Sequence, residues 1–153
     1  MAYSTDEKRL IEHAKKAIID YNAKRKTKGG IDTLYAFLMS DSGSIYDGAC
    51  FETTISNANI CAERHAIANM VLAETYKATI KHIVVADPVP KLQKNCTTPC
   101  GTCRHVIWTH GTKNTTVICI QYIQRKNSWE FPKMEKHTIK ELYPYPFIKV
   151  EWD

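Results

Sequence analysis

The stretch Thr115-Thr116-Val117-Ile118-Cys119-Ile120-Gln121-Tyr122-Ile123, then Gln124-Arg125-Lys126-Asn127 and Ser128-Trp129-Glu130-Phe131, decides the fold. Its first part is an apolar, β-branched run of strand length. The four residues after it are too few for a parallel crossover, which takes a dozen or more. Ser128 to Phe131 is therefore expected to return antiparallel beside Thr115 to Ile123. Upstream, Cys100 to about Thr109 suits a short helix, and Lys81 to Ala86, with Ile83, Val84 and Val85, suits a strand. A helix is expected from about Ile60 to Glu74, burying Ala66, Ile67, Met70 and Val71. Before it, Ile31 to Met39 and Ser44 to Phe51 read as a hairpin about Asp41-Ser42-Gly43.

At the start, Leu10, Ile11, Ala14, Ala17, Ile18 and Tyr21 recur at spacings of three and four, which predicts an amphipathic helix from Thr5 to about Lys24 capped by Ser4, Thr5 or Asp6. Lys24-Arg25-Lys26-Thr27-Lys28-Gly29-Gly30 ends it, with cations at the negative end of the helix dipole and glycines as the stop. Downstream, Thr138-Ile139-Lys140-Glu141 has capping-box spacing, and Tyr143 to Asp153 is an aromatic tail. This order predicts an α/β fold, a three-layer sandwich with a mixed sheet of roughly five strands, in one domain over residues 1–153.

Composition sets the outer limits. With 44% apolar and 24% charged residues in a chain of 153, the protein is an ordinary globular one. No run reaches the ~18 to 20 apolar residues of a membrane span. The polar start from Met1 to Arg9 does not resemble a secretory leader, so a cytoplasmic location without membrane attachment is expected. The net charge of +5 decides nothing by itself. The basic run after Lys24 lacks interleaved aromatics and reads as a solvated helix end, so nucleic acid is not an expected partner. The six cysteines say more, because in a reducing compartment clustered cysteines point to metal or catalysis rather than to disulfides.

Two motifs fall at the expected starts of the second and third helices: Cys61-Ala62-Glu63-Arg64 and Pro99-Cys100-Gly101-Thr102-Cys103-Arg104. Cys100 and Cys103 lie one turn apart and can face one ion, with Cys61 as the third ligand. A catalytic zinc keeps three protein ligands and an open fourth position. Three thiolates on a dication leave a charge of −1, which makes bound water a poor acid. Helix N-termini offset that charge. Arg64 and Arg104 are expected to offset it further by donating hydrogen bonds to the sulfurs. Glu63, two residues from a ligand, is placed to handle protons. The bland alternative is a closed structural zinc site, for which Cys96, His65 or His105 would supply a fourth ligand. Otherwise Cys96 reads as an incidental loop thiol, the two histidines as packed or surface residues, and Cys119 as core filler.

These motifs resemble the zinc-dependent cytidine deaminases, in the small nucleoside-deaminase branch with three cysteine ligands. Gly43-Ser44-Ile45-Tyr46-Asp47-Gly48 is similar to that branch's second-strand signature. Thr138 to Leu142, with Pro144 and Phe147, is similar to its C-terminal end, and the register holds from about Leu34 to Phe147. The antiparallel return after Ile123 also fits this branch, because the polynucleotide-acting branch has a crossover helix there. The resemblance implies a hydrolytic aminopyrimidine nucleoside deaminase of pyrimidine salvage, with one zinc per chain on Cys61, Cys100 and Cys103. It implies that Glu63 takes a proton from the attacking water and returns protons to the ring nitrogen and the leaving amine. It also implies that the backbone N–H near Ala62 holds the ring carbonyl. A homotetramer is expected, with Phe147 near a neighbour's pocket.

The departures fall on the substrate side. The family's Asn-x-Glu, which holds the ribose, is here Cys50-Phe51-Glu52, so the carboxylate stays and the amide is lost. The aromatic-Pro-Val-Gly-Ala signature is replaced by Ile31-Asp32-Thr33-Leu34-Tyr35-Ala36, which leaves the base-stacking Phe without a counterpart. The loop before Pro99 is longer by several residues. A cytidine-like nucleoside is the first expectation for the substrate. A modified aminopyrimidine nucleoside such as blasticidin S is the second, and a zinc-stabilised module without turnover is the rival from outside the enzymes.

Overall fold

A computed structural model describes residues 2–24, 33–89, 91 and 93–148. Helix α1 (Thr5–Lys24) opens on Ser4, whose Oγ accepts from Glu7 N while Ser4 N donates to Glu7 Oε2, so of the three candidate caps Ser4 is the one used. The glycines and most of the basic run expected to end this helix, together with Trp152, lie outside the described residues.

Five strands follow: β1 (Tyr35–Ser40), β2 (Ile45–Ala49), β3 (Ile80–Pro88), β4 (Gly111–Arg125) and β5 (Ser128–Thr138). They form one sheet in the order β2-β1-β3-β4-β5, in which only β3 and β4 run parallel. Helix α2 (Ala62–Glu74) joins β2 to β3, α3 (Gly101–His110) crosses from β3 to β4, and α4 (Ile139–Leu142) follows β5. The expected mixed sandwich and the antiparallel return after β4 are both present.

Alternation along the strands divides the core into two layers. Tyr35, Phe37 and Met39 face α1 together with Val84, Ala86, Ile118, Ile120 and Tyr122, against Leu10, Ile11, Ala14 and Ile18. Ala36, Leu38, Ile83, Val85, Val117 and Cys119 face the other way, against Ala62, Ala66, Ile67 and Met70 of α2 and Ile107 of α3. Between β2 and α2 the backbones nearly touch. A Cβ built on Gly48 would collide with Ala62 O and Ala66 N, so only glycine fits there.

Register brings the functional segments to one end of the sheet. Tyr35, the first residue of β1, pairs with Ala49 on one side and Ala86 on the other. The chain therefore leaves β2 and β3 at the same end, and α2 and α3 both begin there.

One boundary differs from expectation for a physical reason. β5 runs on to Thr138 rather than stopping at Phe131, because it is the edge strand and carries polar residues. Trp129, Phe131 and Met134 pack on the α1 side, while Lys133, Glu135 and His137 pair with one another. Pro132 is tolerated at an edge. Ile31 and Asp32 of the expected hairpin lie outside the described residues, and among the described ones Leu34 and Cys50 flank the strands and are joined by one backbone hydrogen bond (Cys50 N to Leu34 O, 2.9 Å).

Candidate active site

Cys61 and Cys100 are the N-cap residues of α2 and α3, both in extended backbone conformation, and Cys103 is the third residue of α3. The three Sγ atoms lie within 4.8 Å of one another, and those of Cys61 and Cys100 are 3.9 Å apart. Tetrahedral zinc with Zn–S bonds of ~2.3 Å holds its sulfurs about 3.8 Å apart. The spacing fits that ion. Among the described residues the group consists of these three ligand atoms, which suits a metal with an open position.

The start of α3 favours thiolate at Cys100. Cys100 is drawn below the usual thiol value although burial opposes it, because the Cys103 backbone N–H and the Cys103 and Cys61 thiols hydrogen-bond to it. Cys103 is pushed up by burial and by the negative groups Glu63 and Cys61. Cys96 is raised to about 11 and Cys119 to about 12, both chiefly by burial, and these two stay thiols.

Glu63 is only 6% exposed, and burial raises its carboxyl above the ordinary range. It sits within hydrogen-bonding reach of the Cys103 thiol. A carboxyl whose affinity for a proton is raised, beside a metal group, suits proton transfer. Arg64 Nη2 lies 3.9 Å from Cys61 Sγ and also donates to Asn59 O at 3.4 Å.

Arg104 departs from expectation. Its Nε donates to Pro99 O at 2.7 Å, Nη2 to Thr98 Oγ1 at 2.8 Å and Nη1 to Leu142 O at 2.9 Å. With all three nitrogens donating to these oxygens, the guanidinium clamps the loop before Cys100 instead of the sulfurs.

Cys50 and Glu52 follow β2, with Cys50 Sγ 3.9 Å from Glu52 Oε1. Between them Phe51 exchanges two backbone hydrogen bonds with Ile60, which ties this segment to the approach to Cys61. Ala62 is buried as the first residue of α2. Phe147 is exposed and meets His105 edge-on, and His105 Nδ1 lies 3.2 Å from Tyr143 Oη. His65 Nδ1 meets the backbone of Ala49 at 3.1 Å, so both imidazoles are engaged by groups other than the thiols. An open cavity of about 690 Å³ crosses the β2 edge beside His13, Tyr21 and Asp47 and includes none of the three ligand cysteines.

Three contacts escaped the sequence reading. Gln121 Nε2 donates to Gln93 O and Asn95 O, and Glu135 Oε1 accepts from Cys96 N, so two strand residues hold down the long loop before Pro99. Cys96 is therefore a buried core residue rather than an incidental loop thiol. The signal was present in Gln121, a lone amide within an apolar strand and fully buried in the fold.

No family model matches the chain. It is similar to the cytidine deaminase of Mycoplasma pneumoniae, at 33% identity over 99 residues, or 65% of this chain and 71% of that protein. Its fold is similar to the crystal structure of the cytidine deaminase from Burkholderia pseudomallei, with a TM-score of 0.70 at 21% identity, covering 96% of this chain and 100% of that one. It is also similar to the cytidine deaminase from Mycobacterium tuberculosis, with a TM-score of 0.58 at 16% identity, covering 87% and 93%.

Proposed function

This chain belongs to the cytidine deaminase family, and from that membership and the site geometry we infer that it hydrolyses a cytidine-like nucleoside to the uridine-like product and ammonia. The observation that carries the reading is the meeting of Cys61, Cys100 and Cys103 at two helix starts with the buried Glu63 beside them. Zinc, when bound by the three thiolates, supplies a Lewis acid that makes water easier to deprotonate. Glu63 accepts a proton from the attacking water as its oxygen bonds to the ring carbon bearing the amino group. The carboxyl passes that proton to the ring nitrogen. A second proton then moves from the added hydroxyl through Glu63 to the amine, which leaves as ammonia while the ring carbonyl forms. Arg64 balances the charge of Cys61, and the backbone N–H at Ala62 holds the ring carbonyl. Cys50 and Glu52 face the sugar.

The enzyme works as a single domain over residues 1–153 and as a homotetramer in the cytoplasm, in pyrimidine salvage. No helix among the described residues is long and apolar enough to cross a membrane. The assembly is supported by exposed apolar groups on the tail, Tyr145, Phe147 and Ile148, and on the segment before Cys61, Phe51 and Ile55. Phe147 would reach a neighbour's pocket. Light scattering at monomer mass with full activity would refute the assembly. A blasticidin-like substrate remains the alternative that Cys50 favours.

The test is ammonia release from a panel of aminopyrimidine nucleosides, bases and nucleotides by the wild type and Glu63→Gln. Nucleoside turnover is expected, falling by about 10²- to 10⁴-fold in the variant with zinc retained. A zinc-loaded wild type inert towards the whole panel would leave a binding module.

A further inference from the structure

β2 is the outer strand of the sheet, so the backbone groups on its free side have no neighbouring strand to bond. α2 supplies partners for them. His65 Nδ1 lies 3.1 Å from both Ala49 N and Ala49 O, and Asn69 Nδ2 donates to Asp47 O at 2.9 Å. The spacings match, since four helical residues rise about 6.0 Å and two strand residues about 6.6 Å. Residues 65 and 69 therefore meet residues 49 and 47. Between the two contacts lies Gly48, against Ala62 and Ala66. With its ring proton on Nε2, His65 accepts from Ala49 N–H. With the proton on Nδ1, it donates to Ala49 O. The form protonated on Nε2 is the one in which the clip covers the Ala49 amide.

Both ends of this clip lead into the site. One residue beyond Ala49 begins Cys50-Phe51-Glu52, and one helical turn before His65 stands Cys61-Ala62-Glu63. We propose that His65 is a positioning residue for substrate: by holding Ala49 it sets the height of Glu52 against Glu63 and the thiol group, and so governs how tightly the sugar is bound. The proposal rests on the reading that Glu52 faces the sugar of a nucleoside. The imidazole itself touches no substrate.

Three variants separate this role from a general structural one. His65→Ala removes the contact. His65→Asn restores a polar atom where Nδ1 stood, whereas His65→Gln places its amide nearer the Nε2 position. With zinc-loaded protein, His65→Ala is expected to raise KM for cytidine by about 2- to 13-fold, the range of one neutral hydrogen bond, with kcat within about twofold. His65→Asn should recover most of the loss and His65→Gln should not. For a cytidine lacking the 2′- and 3′-hydroxyls the penalty of His65→Ala should vanish. Hydrogen exchange at the Ala49 amide, read by NMR without substrate, should quicken in His65→Ala and slow again in His65→Asn. A fall in kcat at constant KM, or equal rescue by Asn and Gln, overturns the positioning role. Unchanged exchange at Ala49 overturns the clip whatever the activity. If exchange behaves as expected while the wild type deaminates no nucleoside, the functional reading fails, and the role in sugar binding fails with it.

Discussion

Arg104 holds Leu142, 38 residues further along the chain, by a hydrogen bond of 2.9 Å from Nη1 to the carbonyl that closes α4. The other two contacts of the same guanidinium grip Thr98 and Pro99, so one side chain binds the end of α4 to the loop that delivers Cys100. Lysine can keep one of these bonds at most, because it lacks the planar fork. Arg104→Lys is expected to cost about 2 kcal/mol, a fall in Tm of roughly 4–8 °C, and to hasten zinc loss to a chelator. Thermal unfolding in zinc-saturated buffer together with chelator kinetics checks this, and an unchanged Tm would show the clamp to be ornamental.

The thiol group makes a prediction about metal content. Purified protein should carry close to one zinc per chain, and Cys100→Ala or Cys103→Ala should lose it, since two thiolates at two helix starts leave half a tetrahedron. Cys96→Ala and Cys119→Ala should keep it, because these thiols lie outside the group. Elemental analysis of the four variants decides, and retained zinc in the first two refutes the ligand set.

Substrate preference turns on Cys50. Its thiol is a weak donor and a poor acceptor, and it faces Glu52. Wild type should therefore prefer another aminopyrimidine nucleoside over cytidine, or handle cytidine weakly. Cys50→Asn should shift the ratio of kcat/KM towards cytidine by roughly 2- to 13-fold, the range of one neutral hydrogen bond. If cytidine is already the best substrate and the ratio does not move, the lost amide is irrelevant to specificity.

A buried polar cluster away from the site predicts the response to acid. Glu7, 1% exposed, receives Lys136 Nζ at 2.7 Å and lies 3.8 Å from His82, which contacts Thr116. Burial pushes the Glu7 carboxyl up, but Lys136, the Ser4 N–H and Thr116 together hold it below its ordinary 4.5. The folded state thus binds that proton less readily than the unfolded one, and the stability it contributes disappears as pH falls through and below about 4.5. His82 is lowered from 6.5 by burial, so its protonation weakens the fold over an earlier window beginning near that pH. Urea midpoints for wild type and Glu7→Gln, taken between pH 7 and pH 3, should converge below pH 4.5. A constant gap across that range would contradict the charged role of Glu7.

The sequence announces the layers and the metal group because each is signalled by short motifs, although Cys61 and Cys100 themselves lie 39 residues apart. Strand alternation, the Ser4 and Thr138 caps, and a Cys-x-x-Cys turn are each written within a few residues. Arg104, Glu135 and Gln121 were misread or missed because their partners lie 5 to 39 residues away and include backbone groups, which carry no residue signature. The same holds for His65, whose place on a helix suggested packing while its contact is an edge strand. β5 shows the limit of alternation, since an edge strand in a small domain need not have an apolar face along its whole length.

Gly48 gives the site its tolerance. A methyl group there would wedge α2 away from β2, and since Cys61 caps that helix while Cys100 belongs to another, the displacement would open the gap between the two sulfurs. Ligands at 3.9 Å have little slack. The gauge of the metal site is thus kept by a residue with no side chain, on a strand that contributes no ligand, and a search for variants confined to the ligand residues would pass it by.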